Sequence, residues 1–395
     1  MYQVMSCSDR VLPSAAELML GQQSNPQDRQ LKLAVLGTNV ALHRLVCTLH
    51  GIYERDAEAG TQLFTENVDL RLFIIPTGRN DLASFLAWSD KMYRLRVFTA
   101  FSKVPSFTPL YQPSVFEPDF SQEVASTLPA MLQRDAFEDY IRFANQLYPV
   151  VVWKCICWNT STSADNDEGA IDAFNAFNAT PDLVVPFVMS AELGIHAQAQ
   201  HFRKSQAAKD DKAVLDMSLE ELLSDKYRGF QDKLLDKNHG ELSVHQWPVV
   251  EDSGQAAAEI ASEGDFFSLS IRNLPECCGD ERYGKDLKTE TLGANAPNHK
   301  SVSVYARKHD DATRKAITAF RGGKLLNTNP LAETMRDERG EGTVLDHLGK
   351  VEVNSRVPFP VLIDGVVYGP FTKISVVRSE LVLPIASYFP ISDAS

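Results

Sequence analysis

No uninterrupted apolar run of about 18 residues occurs in this chain, which excludes a helical membrane span. Positive charge is also scarce. Lys and Arg number 39 against 52 Asp and Glu, a net charge of −13. That balance argues against broad nucleic-acid binding, which relies on cations neutralising phosphates, and leaves room for a local basic patch. The six cysteines, Cys7, Cys47, Cys155, Cys157, Cys277 and Cys278, match no zinc-ribbon or zinc-finger spacing. Cys155 and Cys157 stand two apart in an apparent strand and so share a face. We read the set as reduced thiols. No GxGxxG, no GxxxxGK[ST] and no GxSxG occurs. No carboxylate pair stands out for acid–base work, and the nine histidines are too scattered to nominate a Cys–His or Ser–His pair. The first residues lack a basic region followed by an apolar core, so no secretory signal is expected and the chain reads as cytoplasmic. No metal and no cofactor are expected.

What is present is a rhythm. Leu31–Leu36 is a short apolar run that meets Gly37-Thr38-Asn39, and Leu70–Ile75 is another that meets Pro76-Thr77-Gly78. Leu42, Leu45, Val46, Leu49 and Ile52 then fall on one helical stripe, and Leu82, Phe85 and Leu86 on a shorter one. Strand followed by helix, repeated, predicts βα units and a mostly parallel sheet. Residues 101–128 hold four prolines and predict a long irregular loop. Leu132, Ala136, Tyr140, Phe143 and Leu147 make another stripe, ended by Pro149. Val150–Trp158 is apolar at nearly every position, as a strand covered on both faces is. An acidic loop at Ser161–Glu168 follows, then a strand at Leu183–Met189 and a helix opened by Ser190 and running to about Lys204.

The pattern changes near 206. Residues 206–262 are rich in Asp, Glu and Lys, with weak stripes such as Leu219, Leu222 and Leu223, and predict an acidic helical insertion or linker. After 263 the period is two: Phe267, Leu269 and Ile271, then Val302 and Val304, then short runs to Leu383, punctuated by Gly, Pro and Asp. That predicts an antiparallel β-sandwich. The expected fold class is thus α/β plus all-β. A polar tail at 1–30 is followed by an α/β domain at 31–205, the insertion at 206–262 and the sandwich at 263–395.

Three places invite a functional reading. Gly37 and Thr38 at the first strand end, with Gly78 and Asn80 at the second, suit a phosphate-bearing ligand held by backbone N–H groups and a helix N-terminus. Thr38 or Asn39 as a plain helix cap accounts for the first turn equally well. Pro76-Thr77-Gly78-Arg79-Asn80-Asp81-Leu82-Ala83 resembles the Pro-x-Gly-x-Gly-Asn-Asp-Leu-Ala segment of diacylglycerol-kinase-like lipid kinases. Arg79 stands where that segment has a small residue, and the upstream Gly-Gly-Asp-Gly-Thr loop of those kinases is missing; Asp81 as a cap is the plain alternative. Glu192 and His196, four apart on the expected helix, share a face but supply too few ligands for a metal. Ala306–Lys315 is a basic run at a strand end, either a solvated turn or a contact for an acidic surface.

Several segments resemble, in order, the C-terminal half of the regulatory subunits of class IB phosphoinositide 3-kinase. They are Leu31–Gly37, Leu70–Pro76, Asp81–Tyr93, Tyr140–Ala144, Ser190–His196, Gly349–Val353, Pro358–Asp364 and Leu381–Ile385. The resemblance implies a non-catalytic adaptor, an α/β domain docking on a lipid-kinase catalytic subunit and a sandwich binding G-protein βγ. It implies recruitment to the membrane periphery and makes Arg307 and Lys308 the nearest counterparts of a βγ-contact segment. That family's N-terminal helical solenoid is missing here, and the 206–262 insertion is longer and more acidic. Two other readings stay open: an α/β enzyme or sensor taking a phosphate-bearing ligand at Gly37, Thr38, Gly78 and Asn80, and a structural subunit of a larger assembly.

Overall fold

The computed structural model describes residues 30–60, 69–77, 80–101, 130–159, 180–207, 222, 230, 241–249, 259–274, 301–308 and 343–389. The expected tail up to residue 29, the loop after Phe101, the acidic loop at Ser161–Glu168, Gly78, Cys7, Cys277 and Cys278 lie outside the described residues. So do Leu219, Leu223 and positions 309–315 of the basic run.

The front of the chain folds as its rhythm predicts. Strand β1, Gln30–Gly37, and strand β2, Asp69–Pro76, pair in parallel from Gln30 opposite Asp69 to Gly37 opposite Pro76. Between them runs helix α1, Asn39–Ala59, which buries Leu42, Leu45, Val46 and Leu49. It ends at Gly60, whose left-handed backbone (φ +65°) turns its N–H back onto the carbonyls of Asp56 and Ala57. After β2, helix α2, Asp81–Ser89, buries Leu82, Phe85 and Leu86. The chain continues helically through Lys91–Tyr93, a π turn at Arg94–Phe98, and Thr99–Phe101.

Helix α3, Ala130–Phe143, stops a turn earlier than its stripe predicts, and Leu147 belongs to strand β3, Gln146–Trp158. The residue before a proline avoids the helical region, and here that residue is Tyr148. Strand β4, Leu183–Phe187, is followed by strand β5, Ser190–Gly194, and only then by helix α4, Ile195–Ala207. The helix expected to open at Ser190 is therefore corrected. Glu192 pairs in the sheet opposite Ser270 and Leu362 and shares no helical face with His196. Gly194, at φ +86°, makes the junction between strand and helix.

The remaining strands are β6 (Glu241–Pro248), β7 (Ile260–Arg272), β8 (Val302–Lys308), β9 (Thr343–Ile363) and β10 (Val366–Ser387). Strand β6 lies inside 206–262, where a helical segment is expected. The described strands form one ten-stranded mixed sheet, with the path β1-β2-β10-β9-β5-β7-β6. The α/β class holds, whereas two stacked sheets are not what forms. Strands β5 and β6 both pair with β9 and with β7, β7 pairs in turn with β8, and β8 pairs back onto β9, which closes a ring. At 21 residues, β9 is long enough to serve several partners, with register shifts where it changes them.

Two cores lie on opposite faces of the shared strands. Tyr148, Val150 and Val152 of β3 point into the first with α1 and α2. Val151, Trp153, Cys155 and Cys157 point into the second, inside the ring. Each face of β3 meets its own core, which explains the nearly unbroken apolar run. Strand β10 divides along its length instead. Ile374 and Val376 fill the second core; Leu381, Leu383 and Ile385 fill the first, after a register shift between Arg378 and Val382. Its end returns beside β2, Ile385 opposite Leu72, and Tyr140 donates to the Ala386 carbonyl at 2.7 Å. Among the described residues no helix is long and apolar enough to cross a membrane.

Candidate functional site

The carboxyl ends of β1 and β2 meet through their backbones and two asparagines. The Gly37 carbonyl accepts from Thr77 N–H at 3.4 Å and from Asn80 Nδ2 at 3.1 Å. Gly37 has room for no side chain, since a Cβ there would stand 2.4 Å from the Ala41 Cβ. Its missing side chain lets α1 start directly against the strand. Asn80 is the N-cap of α2, its Oδ1 accepting from Ala83 N–H at 2.9 Å. Asp81, expected as the cap, is instead the first helical residue. Its carboxylate accepts from Asn39 Nδ2 at 2.8 Å, and its N–H donates to Asn39 Oδ1 at 2.8 Å. One asparagine thus clamps the N-termini of both helices together.

Thr38 occupies the N-cap position of α1 in extended backbone, and its side chain makes no capping bond. Asn39, the other expected cap, spends its amide on Asp81. Among the described residues no side chain accepts from the first N–H groups of α1, at the positive end of a 21-residue helix. Leu36 and Val40 flank this end and are exposed. Of the four residues expected here, Asn80 is bonded to the Gly37 carbonyl, Thr38 follows Gly37 in the chain, and Gly78 lies outside the described residues. Arg307 and Lys308 stand elsewhere, at the end of β8, opposite Ser268 and Phe266 of β7.

A turn further along α1 lies a cluster that sequence reasoning missed. Asp364 sits in the tight β9–β10 turn in left-handed backbone (φ +47°). Its carboxylate accepts from the N–H groups of Val188, Met189 and Ser190 at 2.9, 2.9 and 3.0 Å. His43 Nδ1 approaches the same carboxylate at 3.5 Å. On the other side of the ring, Nε2 is 2.7 Å from the Tyr368 hydroxyl and 3.5 Å from Cys47 Sγ. Both His43 and Asp364 are fully buried; Tyr368 and Cys47 are half-buried. Burial opposes charge on His43, but Asp364 and then Cys47 outweigh it and hold the imidazole up at about 11, against its ordinary 6.5. It is an imidazolium at neutral pH. The neighbouring turn behaves oppositely: burial pulls His50 down, with Lys154 adding to the effect and Glu54 opposing it. The four-residue spacing of His43 and Cys47 is visible in the sequence. Asp364 and Tyr368 are more than 300 positions away and carry no mark of their role.

The turn that holds Asp364 also seats α1. Gly365 follows it, and its Cα lies so close to Asn39 that an added Cβ would meet the Asn39 Cβ at 3.5 Å. The β4–β5 turn is fixed from below as well. Asn273 donates to the carbonyls of Val151 and Val188 at 2.8 and 2.7 Å and accepts from Trp153 Nε1 at 3.0 Å. Among the described residues no group of three His, Cys, Asp or Glu is arranged to hold a metal ion.

No protein-family model and no curated protein matches the chain. Solved structures do resemble it, distantly. A diacylglycerol kinase from Bacillus anthracis str. Sterne aligns over 91% of this chain and 78% of its own, at 11% identity and a TM-score of 0.34. Yeast NADH kinase complexed with NADH aligns over 94% of this chain and 66% of its own, at 8% identity and a TM-score of 0.33. Neither is a regulatory subunit of a phosphoinositide 3-kinase. The expected membership in that family is corrected on this finding, and with it the non-catalytic adaptor and its lipid-kinase and G-protein βγ partners.

Proposed function

We propose that the chain binds a phosphate-bearing ligand at the carboxyl ends of β1 and β2, with Gly37, Thr38 and Asn80 forming the described part of the site. One observation carries this reading. Among the described residues no side chain caps the N-terminus of α1, where two parallel strands end side by side. Backbone N–H groups there favour an anion through both hydrogen bonding and the helix dipole. Asn80 and the Asn39–Asp81 clamp hold the second helix start in register with the first, so the N–H groups are preorganised.

Substituting Thr38 by Asp tests the reading, because Asp is a good N-cap and places its own carboxylate on those N–H groups. Titration calorimetry with pyrophosphate, ATP and NAD is the measurement. The wild-type chain is expected to bind at least one of them, and T38D to bind it at least about tenfold more weakly while melting no lower. Absence of binding across the panel, or equal affinity in T38D, overturns the reading.

A further inference from the structure

We propose that Cys47 is a reactive thiol, oxidised by small hydroperoxides, with the His43 imidazole beside its sulfur and the Asp364 carboxylate behind that ring. Cys47 is not an isolated thiol. It sits one helical turn after His43 on the same face of α1, with Sγ 3.5 Å from Nε2. The opposite ring nitrogen faces Asp364, whose carboxylate is held by three backbone N–H groups. That order places the imidazole ring between a carboxylate and the sulfur, where Nε2 can exchange a proton with the reacting atoms. The thiolate is the form of cysteine that attacks peroxides.

Access separates Cys47 from the other described thiols. It is only half-buried. Cys155 and Cys157 are fully buried with their sulfurs 3.8 Å apart, and the contact with Cys157, reinforced by burial, pushes Cys155 well above the ordinary thiol range. They are packing residues of the second core. The oxidation step balances within the cluster. The Cys47 thiolate attacks one oxygen of the hydroperoxide, an S–O bond forms and the O–O bond breaks. The sulfur is oxidised to a sulfenic acid and the peroxide is reduced. The departing oxygen takes the Nε2 proton of His43 and leaves as water or alcohol, and solvent returns a proton to the ring.

Tyr368 makes the proposal sharply testable. Its hydroxyl, at 2.7 Å, competes with Cys47 for the single Nε2–H. Removing it frees that N–H for the sulfur. The experiment exposes the intact chain to hydrogen peroxide at pH 7, traps sulfenic acid with dimedone and reads each cysteine by peptide mass spectrometry. Cys47 is expected to be trapped, and Cys155 and Cys157 to remain unmodified. Trapping at Cys47 is expected to be about tenfold slower in H43Q and faster than wild type in Y368F. No trapping at Cys47 in the wild type overturns the proposal, as does an equal rate in a folded H43Q. If circular dichroism shows H43Q unfolded, Y368F decides: a rate no faster than wild type overturns it.

Discussion

Asp364 concentrates more of the architecture than any other described side chain. It joins the β4–β5 turn, the β9–β10 turn and α1 in one carboxylate, and it is the counter-charge of a buried imidazolium. Removing one member of such a pair leaves the other buried and unpaired. D364N is therefore expected to cost about 3–5 kcal/mol, read from urea unfolding. The same pair sets a pH dependence. The folded value of His43 is raised from 6.5 to about 11, so its stabilising contribution is complete below about 6.5 and is lost as pH rises towards 11. Wild-type stability is expected to decline across that window, with H43Q declining less steeply; parallel curves would show that the pair is not the cause. Gly37 is the other residue with little freedom. At φ +155° and with Ala41 2.4 Å from any added Cβ, G37A is expected to lose about 1–3 kcal/mol. Adding A41G should restore part of that loss, because it removes the colliding methyl while the backbone strain stays.

Between elements, the decisive contacts join helix starts to strand ends. Asn80 caps α2 and also ties it to the Gly37 carbonyl. N80A is expected to lower stability by about 1–2 kcal/mol in thermal or urea unfolding. The clamp between Asn39 and Asp81 invites a double-mutant cycle with N39A and D81A. A coupling of about 0.5–3 kcal/mol is expected, since the Asn39 amide donates to the Asp81 carboxylate. Additive effects would mean that the two helix starts are held independently. At this scale the sequence is legible in part. The stripe of α1 and the apolar run of β3 are local patterns and appear as read. The early stop of α3 and the strand at Glu192 depend on pairing with distant strands, β10 and β7, which no local period reveals.

For the molecule as a whole, β10 is the element that prevents a clean division. It begins in the ring with β9, ends beside β2, and contributes side chains to both cores. An isolated fragment of residues 30–205 lacks this strand, so Leu72, Ile74 and Val150 lose their neighbours Leu383 and Ile385 in the first core. That fragment is expected to remain unfolded or to aggregate by circular dichroism and gel filtration, and a cooperatively melting fragment would refute the dependence. The intact chain is expected to unfold with tryptophan fluorescence and far-ultraviolet signals coinciding, because Trp153 lies in the second core and the helices pack on the first.

The sequence by itself determined the βα rhythm of the front, the apolar faces of its helices and the exclusion of a long apolar span. Each is written in residues close together in the chain, where helix or strand period links spacing directly to a face. Only the tertiary structure decided that the β-rich half closes into a ring, that β10 belongs to both cores, and that His43 and Cys47 meet Asp364 and Tyr368. Those arrangements depend on contacts between distant parts of the chain, across more than 300 residues where β10 meets β2 and where His43 meets Asp364 and Tyr368. A carboxylate in a turn and a tyrosine in a strand gain their chemistry from what folding brings against them.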